Sequence, residues 1–407
     1  MDHHVAPALV RYHELAVTQI PLSHRFILDH FINSTSIFLS PHQSFYHRIQ
    51  NQIIPMALQT PFLFSAVLAL ACRSALTQGI RSIEGADTNM LIPYFCSDST
   101  RGLRRALGNP HDREALIATS LLLCLGEIYE GGKQPSWSIH LEGARNLLAA
   151  AEPGTRSPSP SMLLLRHLFQ GITVQAALQS DSAPYYDWLS LSGEAGEEAF
   201  VDEYLGFDTK LIPIFKAIGQ AAHDPRRSSA LEGECLLRRV DDMINRSQSH
   251  APRLRPAIQS DTDGADLNQF FLSNTAYQHA ARIHIYRRLL NEPPDSADIQ
   301  TSVQVILSCV QQMVSGEGLR PWITMVMPIF VAGCEAQDCE SLDFAASHLV
   351  QLERAIGAKN IRRVSEVMKG YQRWSDQLRP PGVSIWSHSI GTLIPVNNNY
   401  CATNSFQ

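Results

Sequence analysis

The chain has 407 residues, of which 44% are hydrophobic and 18% charged, and its formal net charge is −6. This composition is that of a folded globular protein and excludes a mainly disordered chain. Because nucleic-acid affinity is built chiefly from clustered Lys and Arg, the acidic balance predicts no direct nucleic-acid partner.

Helical periodicity recurs along the chain, whereas no convincing run of alternating apolar and polar residues occurs. The clearest helix is predicted from Asp112 to Glu130, with Asp112 as its cap, an interior that is apolar nearly all round, and Gly131-Gly132 as its end. A second helix follows Pro135-Ser136, and the short turn between the two predicts an antiparallel hairpin. Further helices are predicted over Ser23–Leu39, Pro61–Gln78, Pro93–Leu107, Met162–Leu178, Pro213–Ala222, Leu231–Arg246, Leu267–Leu290, Asp298–Val314, Trp322–Ala336, Ser341–Ile356 and Ile361–Gln377.

These elements predict an all-α fold, a large irregular multi-helix bundle built from antiparallel helix hairpins. Residues 1–20 are expected to form an N-terminal arm, residues 20–378 the helical domain, and residues 379–407 an irregular tail. Residues 247–266 are expected to form a hinge or insertion within the domain. Two further breaks, both expected to be connecting loops, are Glu152–Pro160 and Ser180–Tyr204.

The cysteines and the apolar runs indicate an intracellular chain. Eight cysteines are scattered beside aliphatic residues, and no secretory segment follows Met1, which favours free thiols in a reducing compartment. The longest apolar run, Pro61 to Cys72, is shorter than the roughly 20 residues that a membrane span needs. It is therefore predicted to be a core helix, and no membrane association is expected.

Short basic groups and motif fragments are explained by ordinary structural roles. The basic groups Arg101-Arg104-Arg105, Arg226-Arg227 and Arg287-Arg288 are each interpreted as a solvated face or a helix terminus. Glu130 to Lys133 lacks the glycine spacing of a phosphate loop, and Asp261 to Asp266 lacks the glycine position and final glutamate of a calcium loop. A helix stop and a loop with a helix cap are the favoured interpretations.

No constellation of residues predicts a metal or catalytic site. His279 and His284 are five residues apart, as are Cys334 and Cys339, and this spacing does not place two ligands on one helix face. The sequence has no hydrolase elbow and no dinucleotide fingerprint. Histidines together with Glu127, Glu130 and Glu142 could form an acid–base site, but the sequence does not show which of them converge. We assign no catalytic residue, cofactor or metal ligand, and a non-enzyme is favoured.

A set of short motifs occurs in a fixed order over about residues 20 to 378. The motifs are Asp29-His30-Phe31 through Leu39-Ser40, Pro55-Met56-Ala57-Leu58 with Leu68-Ala69-Leu70-Ala71, Leu121–Leu125 with Glu127-Ile128, Ser136-Trp137 with His140-Leu141 and Gly143-Ala144-Arg145, Leu205-Gly206-Phe207, Ala276-Tyr277 to Tyr286-Arg287-Arg288, Pro328–Glu335 and the last helix with Trp374. This ordered set resembles the fungal-specific transcription factor domain, an all-helical regulatory region that in many fungal proteins follows a binuclear zinc cluster.

The motif residues are expected to specify the fold more than chemistry. Trp137, His140 and Leu141 are predicted to face a neighbouring helix, and Gly143 and Gly333 to permit close contact between helices. The sequence departs from the family pattern because a binuclear cluster needs six thiolates in two closely spaced runs. The first cysteine is Cys72, within a predicted core helix. Direct reading of DNA is therefore not expected.

The resemblance implies a transcriptional regulator that lacks its own DNA-binding module and controls a fungal secondary-metabolite gene cluster through a protein partner that carries that module. Its expected location is the nucleus, with the cytoplasm as a second location. A small-molecule effector and the oligomeric state are left open.

Two other hypotheses remain. In the first, the helical domain has been recruited as a small-molecule-binding protein or enzyme, with a ligand between its helices. The residues to test for that role are His140, Tyr277, His284 and Glu335. In the second, the chain is an interaction scaffold or an inactive paralogue. Fold alone does not decide among them.

Overall fold

A computed structural model describes residues 20–108, 112–131, 136–150, 158–179, 200–223, 230–249, 253–254, 264–316 and 318–378. It confirms the predicted all-α fold. The helices are Leu22–His30 (α1), Ser36–Phe38 (α2), Gln43–Arg48 (α3), Ile54–Gln59 (α4), Pro61–Thr77 (α5), Thr88–Ala106 (α6), Arg113–Glu130 (α7), Ser136–Ala149 (α8), Pro160–Gln179 (α9), Leu211–His223 (α10), Ala230–Ser249 (α11), Gly264–Arg288 (α12), Ala297–Gln312 (α13), Val326–Glu335 (α14), Cys339–Ile356 (α15) and Lys359–Leu378 (α16).

Other regular structure among the described residues is short. Two π-helical turns, Phe31–Thr35 and Ile49–Ile53, connect α1 to α2 and α3 to α4, and Pro321–Thr324 is a 3₁₀ turn before α14. Four strands of two residues each pair into two small ladders, antiparallel for β1 with β2 and parallel for β3 with β4. They are Ser82–Ile83 (β1), Ala86–Asp87 (β2), Phe200–Val201 (β3) and Arg253–Leu254 (β4).

The chain divides into two compact units, and the first comprises Met1–Leu39, Tyr46–Glu127 and Ile139–Phe169. Its core is built on α5, whose residues are buried on nearly every side, as the apolar run from Pro61 predicts. Helix α6 packs closely along α5, since a Cβ on Gly102 would lie 2.5 Å from the Phe62 Cβ. The predicted core helix is thereby confirmed.

Helix α7 shows how directly the sequence specifies some elements. Its residues from Ala115 to Gly126 are all buried, as expected of a helix that is apolar all round. Gly131 follows it with φ +63°, a left-handed conformation that ends helices and that glycine adopts without a Cβ penalty. The predicted stop is confirmed at Gly131, and Gly132 lies outside the described residues.

The second unit comprises Ser40–Phe45, Ile128–Ser138 and Gln170–Gln407. Helices that follow one another pack together, α11 on α12, α12 on α13, and so on to α15 on α16. This sequential packing agrees with the predicted helix hairpins and keeps most connections short. Aromatic side chains contribute to the main core cluster of the unit, among them Phe207, Phe215, Tyr277 and Trp322.

Helix boundaries differ from the prediction where caps or prolines were misread. The helix predicted to begin at Pro93 begins at Thr88, because the Asp87 carboxylate accepts a hydrogen bond from the Asn89 backbone N–H. Pro93 lies inside this helix. The helix predicted from Trp322 begins instead at Val326, after the 3₁₀ turn that holds Trp322.

Several predicted segments fall wholly or largely outside the described residues. They are the N-terminal arm, most of the loops at Glu152–Pro160 and Ser180–Tyr204, much of the segment 247–266, the Arg226-Arg227 group and the tail 379–407. Among the helices that are described, none combines the length and the apolar character that crossing a membrane demands.

Candidate functional site

The structure places the four polar residues considered for a ligand site in two compact units. His140 lies in the first compact unit, whereas Tyr277, His284 and Glu335 lie in the second. Tyr277 is fully buried and its hydroxyl donates a hydrogen bond of 2.5 Å to the Thr324 backbone carbonyl. Its ring packs at 4.4 Å from the Phe207 ring centroid. Tyr277 therefore holds the 3₁₀ turn against the aromatic core.

Glu335 belongs to a buried ion pair. One of its carboxylate oxygens accepts a hydrogen bond of 2.9 Å from Arg287 Nε, and the two side chains are 0% and 8% exposed. Arg287 also donates to the Glu292 backbone carbonyl. The Gln300 amide donates to the Glu335 backbone carbonyl at 2.8 Å and to the Pro294 carbonyl at 2.6 Å. The cluster therefore joins α12, α13 and α14.

The pair Arg287-Arg288 is predicted to be a solvated face or a helix terminus, and the structure distinguishes the two. Helix α12 ends at Arg288, which confirms the helix terminus, whereas Arg287 is buried and bound to Glu335 rather than solvated. The sequence does contain a signal for this contact. Glu335 lies between Cys334 and Ala336 at the end of an apolar helix, and a buried carboxylate needs a cationic or hydrogen-bonding partner.

His279 and His284 are both buried on α12. Burial lowers the pKa of His279 from 6.5 to about 4, with a smaller contribution from the nearby Arg282 cation. Burial, aided by Arg288, also lowers the pKa of His284 well below 6.5. Both imidazoles are therefore neutral at neutral pH. Within the described ranges, no three His, Cys, Asp or Glu side chains are grouped so as to hold a metal ion.

Acidification should destabilise the protein through His279. The unfolded chain binds a proton at His279 below about pH 6.5, whereas the folded chain does so only near pH 4, so stability is lost as the pH falls through this window. The expected loss between about pH 7 and pH 5 is about 2 kcal/mol for this group. Urea unfolding at both pH values should show a smaller pH dependence for His279→Gln than for the parent chain. If the stability of His279→Gln and of the parent chain depended equally on pH, His279 would not be the source of the acid destabilisation.

The three carboxylates considered for acid–base chemistry have separate partners. Glu127 lies 3.2 Å from His140 Nε2, Glu130 lies 3.5 Å from Lys359 Nζ, and Glu142 pairs with Arg145 one helical turn away. The Glu130–Lys359 pair lies at the C-terminus of α7, where the negative end of the helix dipole stabilises the Lys359 cation. Arg363 adds to this end by donating a 2.9 Å hydrogen bond to the Gly131 carbonyl. Each of the three carboxylates thus has a polar partner within its own unit.

Comparison with known protein families shows to which family the chain belongs. A family model described as the fungal-specific transcription factor domain matches residues 26–386, which is most of the chain. The chain belongs to the fungal-specific transcription factor domain family. This membership gives the chain a transcriptional regulatory role and confirms the resemblance carried by its ordered motifs. No curated protein and no solved structure matches it significantly.

The motifs of the fungal-specific transcription factor domain are mainly core positions, as predicted. Leu121–Leu125, Trp137 and Leu141 are buried, and His140 is partly buried beside Glu127. A Cβ on Gly333 would lie 2.1 Å from Met368 Sδ and 3.0 Å from the Ala345 Cβ, which confirms the close contact predicted there.

The prediction for Gly143 is wrong. A Cβ on this residue would meet no atom within 4 Å, so no neighbouring helix requires a glycine there. The spacing of Trp137 and Leu141 indicated which face of α8 is buried, but it did not show that Gly143 lies beside open space. Of the two motif glycines, Gly333 alone is needed for close packing.

The motif Leu205-Gly206-Phe207 of the domain forms a tight turn. The Asp202 carboxylate accepts backbone hydrogen bonds of 2.9 Å from both Tyr204 and Leu205, and Gly206 adopts φ +77°. Sequence reasoning missed Asp202, although an aspartate a few residues before a glycine is typical of such turns. The turn places Phe207 in the aromatic core beside Tyr277.

Proposed function

We propose that this chain regulates transcription in the nucleus by associating with a protein partner that reads DNA, and that its target is a fungal secondary-metabolite gene cluster. The family membership carries this proposal. The choice of target extends what the resemblance implies and belongs to the proposal. The requirement for a partner comes from the chemistry of the chain itself.

The state of the cysteines supports a partner with its own DNA-binding module. Burial raises the pKa of Cys72 to about 12 and that of Cys309 to about 11. Both thiols are buried within helices, and neither belongs to a group of three possible metal ligands in the part of the chain that the structure describes. The net charge of −6 also opposes direct binding to the DNA polyanion.

The alternative of a small-molecule site has less support. The hydroxyl of Tyr277 and the carboxylate of Glu335 serve helix packing, as their hydrogen bonds indicate. One surface depression is lined by α13 residues alone, from Ala297 to Ser308, whereas an interhelical ligand pocket draws side chains from several helices. We therefore retain the regulatory function as the proposal.

Deletion of the gene should test the proposal in the fungus. We expect transcripts of the target cluster to change, and chromatin immunoprecipitation of the epitope-tagged chain to enrich the promoters of that cluster. The purified chain alone should bind promoter duplexes no better than unrelated duplexes at physiological salt. Unchanged transcripts throughout the neighbouring genes would contradict the regulatory function. Tight, sequence-specific binding by the purified chain would contradict the need for a partner.

A further inference from the structure

Helix α6 presents two different faces. One face is buried through Ile92, Phe95 and Ser99, and Gly102 permits close contact with Phe62 on α5. The opposite face is exposed and carries apolar side chains in its first half. Met90 and Tyr94 on this face are 68% and 62% exposed.

The second half of the exposed face is basic. Arg101, Arg104 and Arg105 are all exposed, and they make no hydrogen bond or ion pair with any part of the chain that the structure describes. Asp98 is the one acidic residue within α6, and its carboxylate accepts a hydrogen bond of 2.7 Å from the Ser65 hydroxyl. The three positive charges exceed the single negative charge of Asp98, so α6 has a formal net charge of +2 (three arginines and one aspartate).

These residues form a continuous stripe, which we name the α6 stripe and define as Met90, Tyr94, Arg101, Arg104 and Arg105. At 100° per residue, all but Arg104 fall within an arc of about 60°, and Arg104 lies about 40° to one side. The stripe extends over about 22 Å, at 1.5 Å per residue. It is long enough to contact about four turns of a partner helix.

The helix dipole alone does not explain the α6 stripe. Arg104 and Arg105 lie in the last turn, where cations are favourable in any helix. Met90 and Tyr94 lie near the other end and gain nothing from that effect. An exposed tyrosine and methionine in line with arginines are the residue types enriched at protein interfaces and their hot spots.

We infer that the α6 stripe is a docking surface for an acidic amphipathic segment of a partner protein. Apolar side chains of that segment would cover Met90 and Tyr94, and its carboxylates would pair with Arg101, Arg104 and Arg105. Charge complementarity selects this occupant, because the stripe is positive on a chain whose net charge is −6. The inference deepens the proposed function by naming the kind of partner segment, and it rests on that function only for the partner's role in transcription.

Binding of a designed peptide tests the surface itself. The probe is a fluorescent amphipathic peptide about 16 residues long, with leucines on one helical face and glutamates beside them, and a scrambled peptide of equal composition is its control. We expect Met90→Ala/Tyr94→Ala and Arg101→Glu/Arg105→Glu each to weaken binding to the full chain by about tenfold or more. The matched variant Leu231→Ala/Arg239→Glu, on the exposed face of α11, should change binding by less than about twofold.

Folding controls and a nucleic-acid control complete this experiment. Circular dichroism and thermal unfolding should be nearly unchanged in all variants, because the substituted side chains are exposed. The surface assignment is wrong if α6 and α11 variants bind the peptide equally. It is also wrong if the chain binds a duplex DNA instead and the arginine substitutions abolish that binding.

A photo-crosslinking residue in place of Tyr94 tests the partner in the fungus. We expect crosslinks to an acidic amphipathic peptide, sequenced by mass spectrometry, that are absent when the probe replaces Leu231. Crosslinks confined to segments without acidic residues would overturn the inference. If α6 variants lose the peptide and the crosslink while target transcripts are unchanged, the docking surface stands and its link to transcription fails.

Discussion

Replacing Glu335 with alanine is expected to lower the free energy of unfolding of the second compact unit by about 3–5 kcal/mol. The substitution leaves the Arg287 guanidinium buried without its carboxylate partner, and a buried unpaired charge is costly. Denaturant unfolding followed by circular dichroism measures the effect. The control is Glu366→Ala, an exposed glutamate on α16, which should change stability by less than about 0.5 kcal/mol.

A double variant separates loss of the charge pair from loss of packing. Arg287→Met together with Glu335→Leu removes both charges and retains most of the apolar volume, so stability should recover to within about 2 kcal/mol of the parent. Equal losses for Glu335→Ala and Glu366→Ala would show that the ion pair is unimportant. A double variant less stable than Glu335→Ala would show that the cost arises from packing.

Substitution of Gly206 with alanine is expected to cost about 3 kcal/mol. The residue has φ +77°, which strains any L side chain, and a Cβ would lie 2.7 Å from Thr324 Oγ1 and 2.8 Å from Ser273 Oγ. Gly79→Ala is the matched control, because Gly79 has φ +85° with nothing within 4 Å. It should lose only the backbone component, about 1–2 kcal/mol.

The two glycine variants also test how the aromatic core is held. Because the Gly206 turn carries Phe207 into contact with Tyr277, Gly206→Ala should alter the near-ultraviolet circular dichroism of the buried aromatic residues. Gly79→Ala should leave that spectrum unchanged. If both variants lose the same free energy, the contacts with Thr324 and Ser273 contribute nothing.

The helices were predictable wherever one local pattern decided the structure. The run from Ala115 to Gly126 is apolar on every side, so it had to lie inside a bundle, and Gly131 supplied the stop. The start of α6 was missed because Pro93 looked like a first-turn proline, whereas Asp87 had already capped the helix. The π-helical turn Phe31–Thr35 depends on tertiary packing and has no marker in the sequence.

Contacts between residues far apart in the chain were much less predictable. Arg287 and Glu335 are 48 residues apart, and no periodicity connects them. Gly143 and Gly333 are both predicted to permit close helix contact, yet of the two only Gly333 has a neighbouring helix packed against it. The exposure of the α6 stripe could not be predicted from the sequence, because the same arginines would be buried if another helix covered them. Helical pattern shows which face of an element is apolar, but the partner of that face is a property of the whole fold.

Recruitment of the chain to a reporter promoter tests the central claim most directly. The chain is fused to a heterologous DNA-binding module in a fungal host, and reporter transcripts are compared with those from the module alone and from a fusion carrying Glu335→Ala. We predict that the parent fusion changes reporter transcription several-fold and that the destabilised variant loses most of that change. A reporter unaffected by the parent fusion, with the protein present in the nucleus at the level of the module alone, would contradict a regulatory function for this domain.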